Sequence, residues 1–368
     1  MWEYYSPVRI FFGEGQLETL PERLEQNNIR RIALFLSGSF AGSQRAKALV
    51  KALGKKTALI IDGISPDPDV CDINKIADRM RAFDICGVVA IGGGSVIDSA
   101  KAASAAYANS CSIEELLTRK KPILKSLPLI AVPTTSGAGS EVTRAAALVY
   151  KGEKAPVFDD KIFAAVAIID PELTISCPPA VTAVCGMDVL SHALEVLMHK
   201  NENAIATTLA MDAISLALNN LEICYNVPDN IAARAAMAEA SLKAGMAITL
   251  AGCTASHACS YALTTEYHIP HGEACAFTLD HILRFCSKYD GRMDAYAARL
   301  GFGSANALAD RIWEMKNNMN LRVRLGQIGA GSADALALAK AAIDSAVIKN
   351  HYFDIKYEDI LEIFKNCL

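Results

Sequence analysis

DICGVVAIGGGSVIDSAK, residues 84–101, decides the fold. An apolar run of strand length passes into three consecutive glycines and then into a segment with helical spacing. Glycines let the backbone approach a pyrophosphate closely, and the free N–H groups at the start of the helix favour an anion. The usual dinucleotide fingerprint is not met: reading Gly92-x-Gly94, the third glycine falls at position 97, which is Ile97. Tight strand-to-helix packing is the bland reading of this stretch. A second glycine-rich segment, PTTSGAGSE at 133–141, follows another apolar run. Thr134, Thr135 and Ser136 offer hydroxyls there, while Gly137 and Gly139 permit unusual backbone angles. Taken singly it is a turn-rich loop. Two such loops at the C-terminal ends of neighbouring strands are where an open α/β sheet binds a nucleotide.

Outward from these loops, RIALFLS (31–37), TALIID (57–62), ICGVVAIGG (85–93), PLIAVPTT (128–135), AALVY (146–150) and AAVAIID (164–170) are the candidate strands. Helix-period segments lie between them at roughly 43–53, 70–82 and 95–108. This βαβ alternation predicts a doubly wound, mainly parallel sheet. After IIDPELTISCPP (168–179) strand-like runs stop, and alanine- and leucine-rich segments follow at 180–199, 203–223, 229–250, 252–263 and 271–286. The expected organisation is an α/β dinucleotide-binding domain over 1–177 and an all-helical metal- and substrate-binding domain over 178–368. No repeat of 20–50 residues and no low-complexity tract interrupts it.

The 368-residue chain exceeds the usual size of a single core, which agrees with two domains. With 21% charged residues and a formal net charge of −4, it carries no basic excess for nucleic acid or anionic membranes. No apolar run reaches the roughly 18–20 residues of a bilayer span, and MWEYYSPVRI lacks a charged n-region followed by an apolar stretch. Eleven cysteines, an odd number without a CxxC pair, read as reduced thiols rather than a disulfide framework. A soluble, cytoplasmic protein is expected.

SHACSYALTTEYHIPHGEAC, residues 256–275, holds three of the seven histidines. As one helix, 257–271 would separate its end residues by ~21 Å, too far to share an ion. Pro270 changes this, because proline disturbs a helix interior yet suits the first turn of a new one. A helix ending near Leu263, a connection through TTEYHI and a second helix opening at Pro270-His271 would let His257 and His271 face each other. In CGMDVLSHALE (185–195), Asp188 and His192 are four residues apart and stack on one helical face. Alone, that pair reads as hydrogen-bonded core. Glu195 lies near the same face, with a salt bridge or a solvated position preferred to ligation. Asp188, His192, His257 and His271 would make a set of one carboxylate and three imidazoles, suited to Fe²⁺ or Zn²⁺ with no call for thiolate. His268 sits in the connection; His199, His281 and His351 read as structural or surface residues.

These segments resemble the iron-containing (group III) alcohol dehydrogenases nearly end to end, on the dehydroquinate synthase-like superfold. The resemblance rests on FFGEGQLETL, GGGSVIDSAK, PTTSGAGSEVT, IIDPELT, GMDVLSHALE and SHACSYALTTEYHIPHGEA, in that order. It implies that Asp188, His192, His257 and His271 are the metal ligands. It also implies that the cofactor pyrophosphate rests on Gly93, Gly94 and Ser95, with Asp98 and Lys101 on the helix behind. Thr134, Thr135, Ser136 and Lys154 match further cofactor contacts. Two positions depart from the family. Tyr261 stands where many members have a second histidine, leaving Tyr261 and His268 as candidate proton-handling groups. Asp67 stands where asparagine is frequent, beside the nicotinamide ribose. Members selective for NAD often carry an aspartate after the first strand, whereas this chain has LSGSF, with Ser37, Gly38 and Ser39. With no carboxylate to repel a 2′-phosphate, NADP(H) is expected in preference to NAD(H).

The implied activity is metal-dependent, NAD(P)(H)-linked interconversion of small primary alcohols and aldehydes, by a homodimer. Short alcohols, 1,3-diols, lactaldehyde-like compounds and anionic aldehydes such as phosphonoacetaldehyde all fit. The alternatives are a lyase or cyclase of the dehydroquinate synthase type, in which the cofactor is only a transient redox aid, and a non-catalytic metal-binding relative.

Overall fold

A computed structural model describes residues 2–368, which divide into two compact units. The first comprises residues 6–135 and 139–175, and the second residues 2–5, 136–138 and 176–368.

Eight strands belong to the first unit: β1 (Arg9–Phe12), β2 (Ile32–Leu36), β3 (Thr57–Ile61), β4 (Gly87–Gly92), β5 (Leu129–Pro133), β6 (Ala145–Tyr150), β7 (Glu153–Phe158) and β8 (Val166–Ile169). Six form one sheet in the order β1-β8-β5-β4-β2-β3, and every pairing in it is parallel. β2, β4, β5 and β8 are buried at every position, which is why they read as unbroken apolar runs rather than alternating ones. From β2 the chain moves outward to β3, then returns to lay β4, β5 and β8 on the other side. The reversal falls between β2 and β4. An open α/β sheet offers its ligand crevice there, at the carboxyl ends of the strands.

Two strands depart from the sequence expectation. RIFF (9–12), of which only Phe11 and Phe12 belong to a motif read in the sequence, forms the edge strand β1 and pairs with β8. AALVY leaves the parallel sheet altogether: it is most of β6, which pairs antiparallel with β7 in a separate hairpin. Lys151 and Gly152 close that hairpin with φ of 55° and 82°, the two positive angles of a type I′ turn. β7 reads EKAPVF, and its proline and charges conceal it from an apolar pattern.

The second unit is helical. Its long elements are Pro179–Leu197, Ala204–Asn226 and Ile231–Ala251, followed by Ala255–Thr265, His271–Phe277, Leu279–Ser287, Ala305–Asn318 and shorter helices. Among the described residues its only β pairing is one bridge between His199 and His351. Pro179 opens the first helix at a position where the missing N–H costs nothing. Pro179–Leu197 and Ala204–Asn226 are long and apolar enough to cross a membrane, contrary to the expectation from apolar runs alone. They serve as packing elements instead. From Gly186 to Leu197 every residue of the first is buried, and Ala206, Ala210, Ala213, Ile214, Ala217 and Leu221 of the second face the same apolar core. A Cβ at Gly186 would lie 2.1 Å from Leu221 Cδ1, so the glycine leaves the space that the Leu221 side chain fills.

Candidate metal centre and nucleotide site

In the helical unit, the chain does break at Pro270. One helix ends at Thr265, Ile269 N–H donates to Leu263 C=O at 3.1 Å, and Pro270 sits immediately before the helix His271–Phe277. This corner brings the two histidines together: the His257 and His271 rings lie 5.4 Å apart at 65°. The His192 ring stacks on His257 at 5.0 Å and 8°, and His192 Nε2 is 3.8 Å from Asp188 Oδ1. A Cβ at Gly272 would fall 2.2 Å from the Val184 carbonyl oxygen and 2.9 Å from Asp188 Cβ. Backbone cannot yield as a flexible side chain does. Glycine beside His271 is therefore what lets this helix start rest against Asp188.

Glu195 has a definite role and not a solvated one. Wholly buried, it accepts from His257 N–H at 2.9 Å and pairs with His257 Nδ1 at 2.5 Å. Burial alone would raise its carboxyl, but the His257 imidazole and these hydrogen bonds hold it down at about 2. An ionised Glu195 accepts the Nδ1 proton, which leaves Nε2 as the ring's lone-pair donor. Burial would likewise raise Asp188, yet the imidazoles of His192, His271 and His257 draw it below its ordinary value, while burial keeps His192 low and so neutral. Asp188 Oδ1 and His192 Nδ1 are buried without a hydrogen-bond partner. An unsatisfied buried acceptor costs about 1–3 kcal/mol. A divalent cation beside this carboxylate and these imidazoles would supply the missing partner and remove that cost, so the residues fit a metal of the Fe²⁺ or Zn²⁺ type.

The donor atoms lying mutually within 4.8 Å are those of Asp188, His257, His271 and, beyond the expected residues, Cys275. Sequence reasoning gave Glu195 a salt bridge without naming His257 as its partner, and passed over Cys275 entirely. Spacing held a signal for the latter, since Cys275 follows His271 by four residues on one helix face. Tyr261 stands one turn beyond His257, half-buried, its phenol pushed up chiefly by burial and further by neighbouring thiols. His268 is not brought to the cluster: it is exposed, with φ of 54°, at the turn before Pro270.

In the α/β unit, Gly92 ends β4 and Gly93 caps the helix Gly94–Ala108. Thr134 N–H donates to Gly92 C=O at 3.0 Å, and a Cβ on Gly93 would meet Thr135 Oγ1 at 3.2 Å. The two glycine-rich turns thus touch. Ser37 follows β2, donates its N–H to Ile91 C=O at 2.9 Å, and its Oγ accepts from Phe40 N–H at 3.3 Å to cap the short helix Gly38–Ala41. Ser37–Ser39, Gly93–Ser95 and Thr134–Thr135 therefore share the carboxyl edge of β2, β4 and β5, around the sheet's reversal point.

Other expected contacts are otherwise engaged. Asp98 turns away to the hairpin, accepting from Ala147 N–H at 3.0 Å, and buried Lys101 donates to the carbonyls of Thr143 and Ala145, each at 2.8 Å. Both lie on the inner face of their helix and fasten β6 to it. Lys154 and Asp67 pair with each other. Ser136 and Gly137 belong with the helical unit, where a Cβ on Gly137 would sit 2.8 Å from Cys185 Cβ. Gly137 is thus glycine for space and Gly139 for its φ of 63°.

Behind this turn, burial pushes the Glu141 carboxyl up to about 7 and Lys101 down to about 8, each opposed by the other's charge. The Glu141 value lies above the ordinary 4.5, so the folded state holds this proton more tightly than the unfolded chain. Stability from this group is present below pH 4.5 and is lost as pH rises to about 7. Glu141→Gln is expected to gain on the parent across that window, by up to about 3 kcal/mol relative to its offset at the acid end. Denaturant unfolding of both proteins through the window measures it; a constant offset would show ordinary ionisation.

The chain matches known proteins over its whole length. Residues 7–171 match the family model for iron-containing alcohol dehydrogenase, and residues 182–368 match that for the C-terminal part of the same family. A 1-propanol dehydrogenase, PduQ, of Citrobacter freundii is 34% identical over 300 residues, covering 81% of this chain and 77% of that protein. The NAD-dependent methanol dehydrogenase of Bacillus methanolicus is 29% identical, with 100% of each chain covered. Among solved structures, sulfoacetaldehyde reductase from Bifidobacterium kashiwanohense in complex with NAD+ superposes with a TM-score of 0.95 at 35% identity, covering 100% of this chain and 98% of that one.

Proposed function

Because the chain belongs to the iron-containing alcohol dehydrogenase family, we propose that it interconverts small primary alcohols and aldehydes at a metal held by Asp188, His192, His257 and His271. The observations that carry this ligand set are the donor atoms of Asp188, His257 and His271 gathered within 4.8 Å, the His192 ring stacked on His257 at 5.0 Å, and Asp188 Oδ1 left without a hydrogen-bond partner. When bound, the ion supplies Lewis acidity towards a substrate oxygen, and the nicotinamide gives or takes the hydride. The chain's own residues hold and orient. Glu195 fixes the tautomer and orientation of His257 through Nδ1. Tyr261, kept protonated by burial, can offer its phenolic proton from one turn away.

On the α/β unit, Gly93, Gly94 and Ser95 are suited to the pyrophosphate, with Thr134 and Thr135 beside them. Ser37–Ser39 carry no carboxylate, which supports use of NADPH, although the two NAD-linked relatives keep NADH in contention. None of the eleven cysteines is joined in a disulfide, which suits a reducing compartment. β1 ends its sheet with one unpaired edge, which suits pairing with a second copy in a homodimer.

The test is a panel of short aldehydes, with propanal, 3-hydroxypropanal, lactaldehyde, phosphonoacetaldehyde and sulfoacetaldehyde, offered to protein loaded with Fe²⁺ or Zn²⁺. Stoichiometric oxidation of NAD(P)H is expected with at least one of them. Absence of any consumption would remove the dehydrogenase reading. An NADH preference of tenfold or more in kcat/KM, about 1.4 kcal/mol, would reverse the NADPH assignment.

A further inference from the structure

Cys275 is wholly buried and stands one turn beyond His271, so both side chains project from one face of the same helix. Its Sγ lies 3.7 Å from His271 Nε2 and 3.9 Å from Nδ1. With the donor atoms of Asp188 and His257 it completes a group that falls within 4.8 Å. Asp188 belongs to this group, and its Oδ1 is buried without a hydrogen-bond partner. Around a tetrahedral ion with bonds of ~2.0–2.3 Å, ligand atoms stand ~3.3–3.8 Å apart, so the group closes on an ion by contracting about 1 Å. His192 lies outside that group, with its ring stacked on His257 at 5.0 Å and its Nε2 3.8 Å from Asp188 Oδ1.

We propose that the centre offers two four-donor sets sharing Asp188, His257 and His271, one completed by the imidazole of His192 and the other by the thiol of Cys275, and that a thiophilic divalent ion such as Zn²⁺ or Co²⁺ takes the second. This rests on the metal reading given above. The chemistry is ligand softness: hard carboxylate and borderline imidazole are common to both sets, and sulfur is the donor that separates Zn²⁺ and Co²⁺ from harder ions. As the sulfur–metal bond forms, the thiol proton passes to solvent and sulfur becomes thiolate, with no change of oxidation state. Metal identity is thereby tied to which donor is engaged.

Anaerobic titration of Co²⁺ into the metal-free protein tests this by absorption and proton release. One Co²⁺ per chain is expected, with a sulfur-to-cobalt charge-transfer band in the near ultraviolet. Cys275→Ser should lose that band and release one proton fewer per Co²⁺, while keeping the weak visible bands of bound cobalt. Cys253→Ser, which alters the thiol beside His257 and Glu195, should keep the charge-transfer band. Stoichiometric binding by the parent without that band overturns the thiolate and leaves the metal reading standing. Survival of the band in Cys275→Ser, or its loss only in Cys253→Ser, also overturns it. No Co²⁺ uptake by the parent removes the metal reading itself and this proposal with it. Should Cys275→Ser fail to fold, as judged by circular dichroism, the spectra of the parent and of Cys253→Ser together still decide: a band present in both supports Cys275, and its absence from either overturns the proposal.

Discussion

His271→Ala is expected to abolish metal binding and turnover together while leaving the helical content unchanged. The imidazole stands at the first residue of its helix, half-exposed, so its removal opens little of the apolar core. The close seat of Gly272 against Val184 and Asp188 does not involve the His271 side chain, and Glu273 still receives three hydrogen bonds from Arg322 at 2.6–2.8 Å. What the variant loses is an imidazole donor grouped with Asp188 and His257. Lewis-acid stabilisation of a polarised carbonyl is worth several kcal/mol, so kcat/KM should fall by about a thousandfold or more. Metal content by mass spectrometry, read beside circular dichroism, separates a lost ligand from a lost fold. A variant with full metal content and full activity would show that His271 is not a ligand.

Lys316→Met is expected to be the most destabilising single change in the helical unit. Lys316 is 1% exposed, and its Nζ donates to the carbonyls of Ala276 and Phe277, each at 3.1 Å, while pairing with the wholly buried Asp280. Methionine fills the same space without the charge. Asp280 would then be a buried carboxylate without its cation, His281 Nε2 lying 3.8 Å away, and the carbonyls of Ala276 and Phe277 would each lose the Lys316 donor. Breaking a buried pair from one side costs about 3–5 kcal/mol, whereas replacing both members by apolar residues is often neutral. Asp280→Leu combined with Lys316→Met should therefore recover most of the loss. Denaturant unfolding of the two single variants and the double variant measures the coupling. A loss below about 1 kcal/mol in Lys316→Met would show that the pair is not desolvated as its burial implies. Since Phe277 ends the helix that His271 begins, reduced metal occupancy should accompany the loss of stability.

Local periodicity by itself determined the alternation of strands and helices up to Ile169, the shared face of Asp188 and His192, and the restart of the helix at Pro270. These depend on 3.6 residues per turn and on the missing N–H of proline, and neither needs a distant partner. The apolar runs of β2, β4, β5 and β8 were legible for the same reason. β7 was not, because a short edge hairpin held by a type I′ turn tolerates the proline and charges that a buried strand excludes. Tertiary structure alone decided the rest. That Glu195 is buried on His257, that Cys275 rather than His268 arrives at the centre, and that Gly137 and Gly272 are glycines for space all follow from how closely particular helices approach. That closeness is set by side-chain volumes far apart in the chain, which spacing along one segment does not encode.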